Sequence, residues 1–203
     1  MTTVLEQPTT TGAGTRLDQP MELRLFTVEE YDRMIEAGIL GADERVELLE
    51  GRIIKMSPKG ILHAAVNDHA GECFRKRLSN RVIVRIQNPI RLDTSEPEPD
   101  LVLAMPQEKR YFDHHPIPAD ILLVMEIADN SVSIDRNYKS RLSAAAGIIQ
   151  YCIINLQTHE LEDYRDPGPD GYRSKHTFRA EQTFSLVAFP ETVIDVSELL
   201  PPA

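Results

Sequence analysis

Two cysteines in 203 residues, Cys73 and Cys152, are too few for a disulfide framework. No secretory h-region is present, and no apolar run approaches the ~20 residues of a membrane-spanning helix. A soluble protein in a reducing cytoplasm is the expectation. Basic residues are also scarce: 22 Lys and Arg against 32 Asp and Glu give a formal charge of −10. Proteins that coat nucleic acid wholesale are usually strongly basic, so that class is disfavoured, whereas a local basic groove is not. What remains is an ordinary globular composition, 41% apolar and 27% charged, suited to a folded core. The length suits one good-sized domain.

The charge is unevenly spread. Residues 51–92 hold nine bases and two acids, a net of +7, while 22–50 sum to −6. Arg75, Lys76, Arg77, Arg81 and Arg85 lie in a stretch without an acid. Such a block reads either as a solvated helix end and strand face or as a phosphate-binding face.

Residues 1–21 are rich in Thr, Gly, Gln and Pro and lack apolar periodicity, so a flexible tail is expected there and a single domain over 22–203. Thr27-Val28-Glu29-Glu30 forms a capping box, with Tyr31, Met34 and Ile35 as the helical stripe and Gly38 as the stop. Val46 to Met56 reads as a hairpin turning at Glu50-Gly51. Ser57-Pro58 opens a helix over about 61–79, buried through Leu62, Val66, Ala70, Cys73 and Phe74. Strands are expected over 81–86 and 97–104. Ile121 to Ile127 is apolar except for Glu126 and belongs mid-sheet, covered on both faces. Ser133 can cap a helix over 134–146, with Tyr138, Leu142 and Ala145 inward and Gly147 as stop. A buried strand over 148–154 follows, then strands near 161–165 and 172–178. The crossover at 121–154 implies parallel pairing and the earlier meander antiparallel pairing. The expected class is α/β in the mixed-sheet, α+β sense, with an N-terminal helix and hairpin and helices flanking the sheet.

Glu126 is the most informative residue. An ionised carboxylate in an apolar strand is costly unless paired, hydrogen-bonded or metal-bound. Asp100 shares a face with Val102 and Ala104, because strand side chains alternate, and neighbouring strands would bring it near Glu126. A hard divalent cation such as Mg²⁺ relieves the repulsion of two such acids. Lys139, early on the following helix, reads either as an i, i+4 surface partner of Asp135 or as a cation reaching back to orient water and offset developing charge. Glu47 is either a third acid or an exposed strand residue. His63 is either a surface or cap residue or a base or water-orienting group. His114-His115 lacks a spaced partner ligand and is assigned no metal.

These residues, in this order, resemble the Uma family of restriction endonuclease-like proteins, a bacterial branch of the PD-(D/E)XK nuclease superfamily. The resemblance runs over about 26–200. It begins at Phe26-Thr27-Val28-Glu29-Glu30-Tyr31 and continues with Val46-Glu47-Leu48-Leu49-Glu50-Gly51 and with His63 after Ser-Pro. Pro99-Asp100 before Leu101-Val102-Leu103 is similar to the "PD" motif, and Glu126 in Val124-Met125-Glu126-Ile127 to the second acid. The superfamily lysine would stand at Ala128, so Lys139, in Asp135-Arg136-Asn137-Tyr138-Lys139, is its counterpart here.

The resemblance implies a restriction-endonuclease-like core and Mg²⁺- or Mn²⁺-dependent hydrolysis of DNA. Asp100, Glu126 and the Ile127 carbonyl would hold the metal, Lys139 would act on the water, and Glu47 and His63 would line the site. Arg75, Lys76, Arg77, Arg81 and Arg85 would contact phosphates, with weak, metal-dependent DNA binding and a homodimer as the assembly. The alternatives are a non-catalytic nucleic-acid-binding or protein-interaction domain on the same fold, and a hydrolase of small phosphoesters.

Overall fold

A computed structural model describes residues 22–41, 43–129 and 131–201; the expected tail lies outside them. Helix α1 (Val28–Glu36) starts at Thr27, whose hydroxyl accepts from the Glu30 N–H while the Glu30 carboxylate accepts from the Thr27 N–H. That is the reciprocal box its sequence calls for. Strands β1 (Val46–Leu49) and β2 (Arg52–Lys55) form an antiparallel hairpin. Its two turn residues, Glu50 and Gly51, both have positive φ, 46° and 74°, as a type I′ turn requires. A Cβ on Gly51 would meet the Leu25 Cβ at 2.7 Å, so the turn also needs glycine for space.

Helix α2 (Ile61–Leu78) leads into β3 (Ile83–Ile86), β4 (Leu101–Ala104) and β5 (Ile121–Ala128). The next helical region has three parts: α3 (Val132–Ile134), a π-helical stretch (Asp135–Lys139) and α4 (Ser140–Ala145). Strands β6 (Gln150–Asn155), β7 (Glu160–Gly168), β8 (Gly171–Phe178), β9 (Thr183–Leu186) and β10 (Phe189–Asp195) complete the order. The main sheet runs β3-β4-β5-β6-β7-β8. Its β5–β6 pair is parallel and its other pairs are antiparallel. This is the mixed sheet expected, with one crossover through the helical region.

Alternation sorts the sheet's side chains into two cores. Leu101, Leu103, Met125, Ile127, Cys152 and Ile154 face Val66, Ala70 and Phe74 of α2. Val102, Val124, Ala128, Tyr151 and Ile153 face the other way, where Leu142 and Ala146 pack. Both cysteines are buried and free, and among the described residues no helix is long and apolar enough to cross a membrane.

Several local expectations are corrected. Ile35 and Leu62, expected inward, are about half exposed. The strand expected from Pro97 becomes regular only at Leu101, after the prolines. The helix expected at 134 begins at Val132, and Ser131 precedes it instead of Ser133. Ala145 faces solvent, while Asp135, Ser140, Ser143 and Ala144 are buried. The Ser140 N–H donates to the Asp135 carbonyl, a five-residue step that shifts the face the following residues present. The β9–β10 hairpin adds to the expected strands, and its Phe184, Leu186 and Ile194 join the α2-side core.

Candidate active site

The register of β4 against β5 pairs Leu101 with Met125, so the next pair outward is Asp100 and Glu126. Both lie on the face of Val102 and Val124. They are 5% and 4% exposed. The Asp100 N–H donates to Glu126 Oε2 at 3.2 Å, and the Ile127 N–H donates to Asp100 Oδ2 at 2.9 Å. Each acid thus fixes the other's strand.

Lys139 comes from the last position of the π-helical stretch. Its ammonium stands 3.3 Å from Glu126 Oε1 and 3.3 Å from Glu47 Oε1. The solvated pair with Asp135 does not form; Asp135 is buried and accepts from the Ser131 hydroxyl at 2.5 Å. Glu47 is likewise buried and not an exposed strand residue. Its other oxygen accepts from the Glu98 N–H at 3.2 Å, fastening the β1–β2 hairpin to the approach to β4. His63, in the first turn of α2, donates from Nε2 to Asp100 Oδ2 at 3.0 Å.

One participant carries no mark in the sequence. Lys59, just before α2, places its ammonium 2.8 Å from Asp100 Oδ1. Nothing local marks it, because its position depends on how α2 docks against β4. Asn67, one turn beyond His63, is 1% exposed, and its amide lies buried near the His63 end of the helix with no protein partner.

Glu47, Lys59, His63, Asp100, Glu126 and Lys139 line a cleft of about 350 Å³ that also includes Ile127, Asp129 and Lys55. Burial drives the Glu126 pKa up; Lys139 opposes this, and Asp100, Asp135 and Glu47 add to it. Asp135 is raised for the same chief reason, burial. Burial also opposes the Asp100 carboxylate, but His63 and Lys59 outweigh it and hold its pKa well below the usual range. For Lys139, burial disfavours the ammonium and the surrounding carboxylates more than reverse that, so its pKa is raised.

The donor set suits a hard divalent cation. It is made of carboxylate and backbone oxygens, and it carries more negative charge than its lysines balance. The two ammonium groups stand where such a cation would be attracted. Among the described residues no group of three or more His, Cys, Asp or Glu is placed to hold a metal ion, so the protein ligands on offer are the Asp100 and Glu126 pair and backbone oxygen.

The basic block lies elsewhere. From His63 to Arg75 the helix rises about 18 Å, so Arg75, Lys76 and Arg77 occupy the far end of α2 and Arg81 the turn after it, whereas Arg85 lies on β3 opposite Val102. Lys76 pairs with Glu72, Arg77 with Glu198 and Arg81 with Glu191. Arg85 is turned inward over the Tyr111 ring and donates to the Pro89 carbonyl. Arg75 is exposed.

The fold is similar to that of a crystal structure of a putative nuclease belonging to DUF820 from Anabaena variabilis. The TM-score is 0.69 over 86% of this chain and 97% of that one, and at 15% identity the likeness is one of fold. A comparison with curated proteins finds no match. The family Uma2, described as "Putative restriction endonuclease", matches residues 28–197. Spanning most of the sequence and all the converging residues, that match makes the chain a member of the Uma2 family.

Proposed function

We propose that the chain is a metal-dependent endonuclease that hydrolyses DNA phosphodiester bonds, with Mg²⁺ or Mn²⁺ held by Asp100, Glu126 and the Ile127 carbonyl. The observation that carries this reading is the meeting of two buried acids from adjacent strands with a lysine 3.3 Å from one of them. The bound cation would supply Lewis acidity toward a phosphate oxygen and a more acidic water. Lys139 Nζ orients the attacking water and offsets charge developing on the phosphate. Glu47 holds that ammonium together with Glu126. His63 and Lys59 keep Asp100 ionised.

Phosphates remote from the scissile one meet Arg75 and its neighbours Lys76, Arg77 and Arg81, while Arg85, turned inward over Tyr111, is not available to them. Because three of these are tied to acids, DNA binding is weak and depends on the divalent ion. Cutting both strands calls for a two-fold homodimer.

The test is incubation of purified protein with plasmid and linear DNA in Mg²⁺ or Mn²⁺. The wild type should nick or cut, and Glu126→Ala should not. No cleavage by the wild type, or equal cleavage by the variant, sinks the enzyme reading. Salt-dependent binding without cleavage would favour a non-catalytic DNA-binding domain.

A further inference from the structure

An ionised carboxylate offers about four lone-pair directions. Asp100 Oδ2 uses two, for the Ile127 N–H and for His63 Nε2. Oδ1 is the oxygen left to face the cleft, and the Lys59 ammonium covers it at 2.8 Å. Two cations on one buried oxygen repel strongly, so the ammonium and a divalent ion exclude each other there.

Lys59 is built to leave. It lies on the irregular segment 56–60 between β2 and α2, and the following Gly60 has open space around its missing Cβ. Its charge rides on a flexible four-carbon stem. Lys139, by contrast, sits in a helical stretch between two carboxylates. The cleft offers about 350 Å³ into which a released side chain can swing.

We propose that Lys59 is an exchangeable counter-ion of Asp100. In the metal-free protein its ammonium holds the place on Oδ1 that a divalent cation takes, and cation binding releases it into the cleft, toward a substrate phosphate. This rests on the metal-dependent reading above. Until displaced, Lys59 lowers the apparent cation affinity by the fraction of molecules in which Oδ1 is free.

The test is calorimetric titration of the folded proteins with Mn²⁺ and, as a cation that binds without requiring turnover, Ca²⁺. Lys59→Met should bind about tenfold more tightly than wild type, as when about nine molecules in ten hold the lysine on Asp100. Lys59→Gln, which is also uncharged, should behave alike. Lys55→Met removes an equal charge from the same cleft without touching Asp100 and should change the affinity much less. Equal affinities for wild type and Lys59→Met, or a gain no larger than that of Lys55→Met, overturn the counter-ion role while leaving the metal site standing. If no variant binds either cation, the metal reading fails and this one with it.

Discussion

Glu126 and Glu162 stand on the same face of one sheet, each opposite Ile153 in the strand between them. They are therefore about 10 Å apart, equally buried, and each meets a cation from the same π-helical stretch. Arg136 grips Glu162 through two nitrogens, and Lys139 reaches Glu126. Their surroundings diverge from there. Glu162 also takes Lys175 at 2.9 Å and the Tyr164 hydroxyl at 2.5 Å. Burial opposes its charge, yet Arg136, Tyr164 and Lys175 bring its pKa down to about 2. Glu126 has one lysine at a longer distance and three other acids around it, and its pKa rises. A carboxylate with a surplus of donors closes an ion-pair network and holds structure. A carboxylate among other carboxylates is held against its own electrostatics, which is the pattern of a site that binds a cation.

The largest effect is expected at Glu126. Glu126→Gln should cost cleavage about 10³-fold or more, the several kcal/mol that a metal ligand supplies to the transition state. Its thermal midpoint should stay level or rise, since a repelled buried charge is removed. A cleavage assay and scanning calorimetry on the same samples read the two effects. Glu162→Gln should show the reverse balance, losing about 2 kcal/mol or more of stability because Arg136 and Lys175 lose their shared acid.

Acid titration sharpens the contrast. The folded Glu162 pKa lies below its ordinary 4.5, so its contribution is complete above that value and is lost as pH falls from there through about 2. Denaturant melts should show an acid-side loss of about 2 kcal/mol from this group, and Glu162→Gln should flatten that limb. An unchanged limb would mean the network is not what holds the π-helical stretch. The smallest effect is expected at the far end of α2. Arg75→Ala should weaken DNA binding less than about tenfold and reduce the salt slope by about 1.

Local chemistry explains which features were legible in the sequence. The Thr27 box and the Glu50-Gly51 turn are decided within four residues, so they read directly. Asp100 and Glu126 were legible because alternation assigns each a face and an apolar run makes an acid conspicuous. Glu47 and His63 could be named only with two readings each, since their burial depends on the hairpin and α2 docking at one end of the sheet. Lys59 had no signal of its own for the same reason. The π-helical step at Asp135–Lys139 was hidden because it breaks the 3.6-residue spacing by which a helix is recognised. The contacts that accompany it are tertiary: the Tyr151 hydroxyl donates to the Asp135 carbonyl, and Arg136 and Lys139 pair with acids on two different strands. The β9–β10 hairpin was obscured by Pro190 and by a register shift between Phe189 and Val193.

In the reading proposed above, Asp100 and Glu126 together hold a divalent cation. Anomalous diffraction from crystals soaked in Mn²⁺ tests it most directly. The expected result is a single strong peak between the Asp100 and Glu126 carboxylates, beside the Ile127 carbonyl, with the Lys59 ammonium withdrawn from Oδ1. An empty cleft at saturating Mn²⁺, or a peak remote from both acids, would contradict it.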